Sequence, residues 1–245
     1  MLPGAYDKDG NLVCELTKED VERDYDCYRS VFLEKGISHE KLNTITRLEF
    51  PSHIEKIGEN TFEYCKTLET VQIPDGVAEI KEGAFEYCES LCSVLIPDTV
   101  TKIGKYVFHG CSSLRNIRIP NKVTEIKDSV FYRCPSLETI ALPDSITSID
   151  DYAFWGDHSL KTFHIPTDTT SIGYHAFEKC TSLVSVELPN GIKEICDCAF
   201  EHCVSLSAVH YQGSVYTSRS ELERKLGESG VVVKIHSFSN TKLKP

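Results

Sequence analysis

Hydrophobic positions along the chain recur every 23 residues, and the same residue types return at each recurrence. Self-similarity at a fixed period of this size is typical of repeat proteins, in which each short unit stacks on its neighbours. The proline column is Pro51, Pro74, Pro97, Pro120, Pro143, Pro166 and Pro189, and the phenylalanine column is Phe62, Phe85, Phe108, Phe131, Phe154, Phe177 and Phe200. The pattern therefore predicts a solenoid.

Within one unit the pattern changes from strand to turn. Val71 and Ile73 alternate with polar residues, which is the period of a short strand with one buried face. Pro74 ends this strand because proline has no N–H to donate to a sheet. The inward positions that follow, on a second extended side and then in a short helical turn, are Val77, Ile80, Ala84, Phe85 and Cys88.

At these positions the sequence resembles the BspA-type (Treponema-type) leucine-rich repeats. The segments that carry the resemblance are Leu114-x-x-Ile117-x-Ile119-Pro120 and Ala84-Phe85-x-x-Cys88-x-Ser90-Leu91, and it extends over about residues 45–211. The resemblance implies a curved leucine-rich repeat solenoid with a parallel β-sheet on its concave face, a role in protein contacts, often adhesion, and no catalytic residues. The chain departs from the family pattern at Thr61, Asp157 and Thr169, and Asp157 predicts a local irregularity in the fifth unit.

Atypical segments at both ends predict caps, because the terminal rungs of a solenoid would otherwise expose apolar surface. The expected division is an N-terminal cap over 1–41, a solenoid of about seven and a half repeats over 42–211, and a C-terminal cap with a tail over 212–245. In the first cap, Asp9-Gly10 indicates the turn of a hairpin, and Thr17 and Gly36 indicate the ends of one helix. The apolar face of that helix is Val21, Tyr25, Tyr28 and Phe32.

The C-terminal cap is predicted to contain one helix and one strand. The helix begins at Ser220, runs through Leu226 and is closed by Gly227. A strand over Val231 to Ile235 follows, and we expect it to pair with the last rung and cover its open edge.

Composition narrows the class of function. Of the 245 residues, 26 are Lys or Arg and 37 are Asp or Glu, so the formal net charge is −11. Nucleic acid and anionic lipid both need neutralising cations, and an acidic chain without a basic run does not supply them. The longest aliphatic runs are three residues, too short to span a bilayer. The first residues lack the pattern of a secretory signal, so the protein either stays in the cell or has lost a leader.

The chain contains 11 cysteines, and the repeat accounts for a column of six of them: Cys65, Cys88, Cys111, Cys134, Cys180 and Cys203. We expect buried free thiols here, because the parallel Cβ vectors of stacked residues disfavour disulfides. Cys196, Cys198, His202 and Cys203 are close in sequence, but their spacing is not that of a zinc finger. The sequence predicts no metal site and no cofactor.

Comparison of the repeats with one another indicates where a partner binds. The outward positions of the first strand are acidic near both ends of the solenoid and lose their acids in the middle units. We predict binding across these middle positions, called here the middle strip: Leu95, Asn116, Arg118, Thr139, Ala141, Thr162 and His164. Arg118 would pack its stem on Leu95 and pair with a partner carboxylate, and His164 would add pH sensitivity. The alternative is sequence drift at permissive surface positions.

A second patch follows the phenylalanine column. We call His109, Tyr132 and Trp155 the aromatic column, since each directly follows a buried phenylalanine and aromatic residues are favoured at interfaces. No motif of a nucleophile, a zinc protease or a phosphate loop occurs, so the chain is predicted to be non-enzymatic. The expected function is a monomeric module that binds another protein or a surface glycan. The alternatives are a microbial cell-surface adhesin or host-interaction protein, and a structural spacer or self-assembling unit.

Overall fold

The computed structural model describes residues 2–27, 30–234 and 236–244. The chain winds as a β-solenoid of about seven turns, here called rungs, built on parallel sheets. Each rung contributes a strand to a main sheet, bends at its proline, adds a two-residue strand to a second sheet, and returns through a side made of turns. The leucine-rich repeat solenoid expected from the sequence is confirmed.

The strands alternate along the chain between the two sheets. Those of the main sheet are β3 (Ile45–Glu49), β5 (Thr70–Gln72), β7 (Ser93–Leu95), β9 (Asn116–Arg118), β11 (Thr139–Ala141), β13 (Thr162–His164), β15 (Ser185–Glu187) and β17 (Ala208–Tyr211). Those of the second sheet are β4 (Lys56–Ile57), β6 (Glu79–Ile80), β8 (Lys102–Ile103), β10 (Glu125–Ile126), β12 (Ser148–Ile149), β14 (Ser171–Ile172) and β16 (Glu194–Ile195).

The 23-residue period equals one rung, so equivalent residues lie side by side. Val71 is in register with Val94, and Ile117 with Ile140. The second-sheet ladder is interrupted between β8 and β10, and the main-sheet ladder between β11 and β13, where Ile140 is only partly buried. The main-sheet break lies next to the fifth unit, whose turn carries Asp157.

The turn side of each rung carries the phenylalanine column into the core. Successive rings are stacked with centroids 5.1–6.0 Å apart and are fully buried. The residues two before and two after each phenylalanine adopt left-handed φ, as at Tyr106 (57°) and Gly110 (71°) around Phe108. These left-handed residues interrupt helical geometry, so the predicted helical turn is a run of hydrogen-bonded turns instead.

The N-terminal segment covers the first rung on two sides. Strand β1 (Gly4–Asp7) pairs antiparallel with both β2 (Leu12–Glu15) and β3, and so extends the main sheet. Three short helices follow: α1 (Lys18–Glu22), α2 (Val31–Glu34) and α3 (His39–Leu42). The chain around α1 follows the second side closely, and a Cβ on Gly58 would lie 1.9 Å from the Arg23 carbonyl oxygen. Only glycine fits this approach.

The structure differs from the single helix predicted between Thr17 and Gly36. Helix α1 ends at Glu22, because the backbone beyond it pairs with the first rung: the N–H of Tyr25 donates to Glu59 O and that of Val31 to Thr61 O. These bonds replace the i to i−4 bonds that a continuous helix would need. Tyr28 of the predicted apolar face lies outside the described residues.

The C-terminal segment completes an eighth rung after an insertion. Strand β17 turns back into β18 (Ser214–Tyr216), and α4 (Arg219–Glu228) follows with Ser218 as its N-cap. Strand β19 (Val232–Val233) then pairs parallel with β16, and Phe238 stacks on Phe200 at 5.2 Å. Phe238 therefore extends the phenylalanine column. Ile235, at the end of the predicted strand, lies outside the described residues.

Candidate partner-binding surfaces

The middle strip lies on the outer face of the main sheet. All seven of its residues are exposed, and their inward neighbours Val94, Ile117 and Phe163 are buried. Leu95 is 61% exposed and is the large apolar side chain of the strip. Asn116 and Thr139 join adjacent rungs through a side-chain hydrogen bond. The strip is therefore a solvent-facing surface with an apolar side chain near one end.

Arg118 is already paired within the chain. Its Nη2 donates to Oδ1 of Asp98 at 2.9 Å, and both side chains are more than half exposed. Sequence reasoning assigned this guanidinium to a partner carboxylate and missed Asp98, which lies at a proline corner rather than in a strand. An exposed pair of this kind contributes little to stability, so a partner carboxylate can replace or join Asp98 at low cost.

His164 also has an acidic neighbour. Its Nδ1 lies 3.4 Å from Oε2 of Glu187 on the next rung, and both side chains are largely exposed. His164 and Thr162 belong to β13, on the far side of the break in the main-sheet ladder. The middle strip thus extends over two sheet segments.

The aromatic column lies on the turn side, away from the strip, and its side chains are partly buried. Tyr132 stacks on Trp155 at 4.7 Å and meets His109 edge-on at 4.8 Å. The Trp155 ring also has Lys179 Nζ 4.3 Å from its centroid, and its Nε1 donates to Glu178 Oε2 at 2.9 Å. The three residues form one continuous surface, and contacts on both sides hold the indole in place.

A hollow of about 510 Å³ opens beside the aromatic column. Its lining includes Tyr87, Gly110, Arg133, Trp155 and His158. Gly110 helps to keep it open, because a Cβ there would lie 2.6 Å from the Tyr87 ring. The volume is in the range of small-ligand pockets.

The cysteine column has a defined structural role. Each thiol after the first donates to the carbonyl of a phenylalanine 26 residues earlier, at 3.0–3.3 Å. Burial raises the pKa of Cys88, Cys111, Cys134 and Cys180 well above the usual range, so these thiols keep their protons and remain donors. The column satisfies backbone acceptors in the core.

Asp157 takes the cysteine position in the fifth unit and is fully buried. Its Oδ1 accepts the backbone N–H of Cys134 at 2.8 Å, and its Oδ2 has no hydrogen-bond partner within the described part of the chain. Burial raises the pKa of Asp157 well above its usual range. Burial thus favours the neutral form of the carboxyl group, in which it has an O–H to donate.

The three cysteines and one histidine noted near the C-terminus do not converge. Cys203 is buried and bonds the Phe177 carbonyl, while Cys196 and Cys198 are partly buried on the turn side. Instead, Cys198 comes close to His175 and Glu201, and His202 comes close to Glu178 and Glu201. His175 could have been found from the sequence, because it stands one 23-residue period before Cys198 and so occupies the same place on the preceding rung.

Comparisons with known proteins agree with this architecture. The family model of the BspA type leucine rich repeat region matches residues 38–161 and 147–222, with six copies. No curated protein matches the chain.

Several solved structures resemble the chain. A leucine rich cell surface protein from Faecalibacterium prausnitzii is 32% identical, with a TM-score of 0.54, over 64% of this chain and 52% of that one. This chain thus spans about half the length of that protein. The leucine rich repeat protein of T. pallidum is 25% identical, with a TM-score of 0.62, over 77% of this chain and 82% of that one. A leucine-rich repeat protein from Bacteroides ovatus is 24% identical over 79% of this chain and 60% of that one. With a TM-score of 0.57, it shares the fold.

Proposed function

Because the chain belongs to the BspA-type leucine-rich repeat family, we propose that it binds another protein through the middle strip. The family and its fold are typical of non-enzymatic interaction modules. No helix among residues 2–27, 30–234 and 236–244 has the length and apolar character needed to cross a membrane.

The observation that carries this proposal is the exposure of Leu95 beside Arg118 within a strip that contains no carboxylate. Interfaces are depleted in acids at their centre and are anchored by apolar groups and arginine. The acidic side chains are at the margins of the strip, where Asp98 contacts Arg118 and Glu187 contacts His164. A partner would bury Leu95 and offer a carboxylate to Arg118.

Site-specific photocrosslinking tests this proposal. A photoreactive phenylalanine analogue replaces Ala141 on the strip or, as the matched control, Thr147, which is exposed on the opposite side of the same unit. We expect a discrete crosslinked protein from the Ala141 probe that disappears when excess unlabelled wild-type chain competes. A competed product from the Thr147 probe alone would place the contact on another face.

A second candidate, the binding of a glycan, is favoured by the hollow beside the aromatic column. Trp155 and Tyr87 offer aromatic surface there, and Arg133 and His158 offer hydrogen-bonding groups. Glycan-array binding that is lost on Arg133→Ala, with the middle strip unchanged, would support this function.

The similarity to a solved structure also supports a proposal for where the protein acts. The Faecalibacterium prausnitzii relative is described as a cell surface protein, which supports a surface or adhesive role for this chain. The alternative of a self-assembling spacer is tested by light scattering, in which a monomer keeps the mass of one chain at every concentration.

A further inference from the structure

We propose that His175, Cys198 and Glu201 form a zinc-binding site on the turn side of the last rungs. The site is separate from the middle strip and does not depend on partner binding. One ligand atom from each of the three side chains lies within 4.8 Å of the other two.

The repeat itself brings two of the ligands together. His175 and Cys198 are each two residues before a phenylalanine of the core column, on adjacent rungs, with left-handed φ of 54° and 56°. The backbone N–H of His175 donates to Asp197 O at 3.2 Å, which fixes the register. Because the two residues share one backbone conformation at the same place in adjacent rungs, their side chains leave the turn side in the same direction, at roughly the 4.8 Å spacing of stacked rungs.

The donor set suits zinc. Imidazole nitrogen, thiolate sulfur and carboxylate oxygen are its usual protein ligands, at about 2.0–2.3 Å, so the ligand atoms of one ion lie roughly 3–4 Å apart. The observed limit of 4.8 Å between the ligand atoms exceeds that distance by about 1 Å. Three protein ligands leave a fourth tetrahedral position for water or for another side chain. His236, at the equivalent place on the following rung, instead has its Nδ1 3.1 Å from Ser239 Oγ.

The surroundings hold the imidazole and favour a cation. Oε2 of Glu178 lies 2.6 Å from Nδ1 of His175, and the ring of Tyr152 stacks on the imidazole at 4.9 Å. A carboxylate behind a ligating histidine is the common outer-sphere arrangement in zinc sites, and it orients the ring. Glu178 is itself positioned by Trp155 Nε1 and has Lys179 Nζ 3.5 Å from its other oxygen.

Binding of cobalt, as a spectroscopic probe, and of zinc tests the site. The untagged, reduced full chain is stripped with a chelator and titrated with Co²⁺, which gives a charge-transfer absorption when a thiolate coordinates it. We expect saturation at about one ion per chain and displacement by Zn²⁺. Zinc should also raise the melting temperature, since a ligand that binds only the native state stabilises it.

Variants separate this site from other thiols. Cys198→Ser should abolish the charge-transfer absorption, and His175→Asn should weaken zinc binding at least about tenfold. Cys196→Ser is the matched control, because Cys196 is two residues away and outside the cluster, and it should bind as wild type does. Melting temperatures without metal check that each variant folds.

The proposal is overturned if the stripped wild-type chain binds clearly less than one equivalent, or if the absorption survives Cys198→Ser. It is equally overturned if His175→Asn, folded by its melting curve, binds zinc with undiminished affinity. None of these results would bear on partner binding at the middle strip.

Discussion

Phe131→Ala should lower the free energy of unfolding by about 3–5 kcal/mol, the range for removing a large aromatic side chain from a packed core. Phe131 is fully buried, and its ring stacks on Phe108 at 5.7 Å and on Phe154 at 5.4 Å. Its removal leaves a cavity between two rungs that are themselves held by rungs on both sides, so little relaxation can fill it. Denaturant unfolding followed by circular dichroism measures the loss.

Phe238→Ala is the matched control for that change. Phe238 is just as buried but is the last ring of the column, with Phe200 as its stacked neighbour. The terminal rung can relax or fray locally, so the loss should be clearly smaller. Equal losses at Phe131 and Phe238 would contradict a core in which each rung is supported by its two neighbours.

Asp157→Asn should raise the free energy of unfolding at pH 7 by about 1–3 kcal/mol, because burial favours the protonated carboxyl in the folded state while the unfolded chain ionises at this pH. The amide keeps an oxygen for the Cys134 N–H, has an N–H donor in place of the carboxyl O–H, and cannot ionise. Asp157→Cys, which restores the cysteine column, should stabilise the protein in the same direction.

The gain in stability from Asp157→Asn should increase with pH. Burial raises the pKa of Asp157 in the folded state above its value in the unfolded chain. Below the unfolded value, about 3.9, both states hold the proton and Asp157 carries no ionisation penalty. As the pH rises above it, the unfolded chain releases the proton first and wild-type stability falls. The advantage of Asp157→Asn should therefore grow from pH 4 to pH 7, and a gain independent of pH would contradict a neutral buried carboxyl.

The periodic part of the fold could be predicted from the sequence because each structural column is also a sequence column. Phe131, Pro120 and Cys134 recur at the same place in successive rungs, apart from Asp157 in the cysteine column, so the 23-residue spacing locates their equivalents. The caps could not be predicted in the same way. The residues after Thr17 do form a helix. Backbone carbonyls of the first rung accept hydrogen bonds from the N–H groups that would continue it, so α1 ends at Glu22. Phe238 was missed because an inserted hairpin and α4 shift it out of the period.

The candidate surfaces likewise combine features that the sequence pattern predicts with features that it does not. Exposure of the middle strip follows from strand alternation, so Leu95 and Arg118 could be placed on the outer face from sequence alone. The partner of Arg118 could not, because Asp98 belongs to a corner whose side-chain direction the repeat does not specify. The approach of Glu201 to Cys198 likewise depends on how the side chains turn at left-handed residues, which no hydrophobic pattern encodes.

Binding of the crosslinked partner by two matched variants tests the central claim most directly. Leu95→Glu places a carboxylate at the exposed apolar position of the middle strip, and Thr124→Glu places one on an exposed strand side of the neighbouring rung, away from it. We expect Leu95→Glu to weaken binding at least about tenfold, because a partner would bury this side chain as an interface anchor. Thr124→Glu should bind as the wild type does. Neither change should alter the melting temperature. Wild-type affinity for Leu95→Glu together with lost binding for Thr124→Glu would show that the partner docks on the other face.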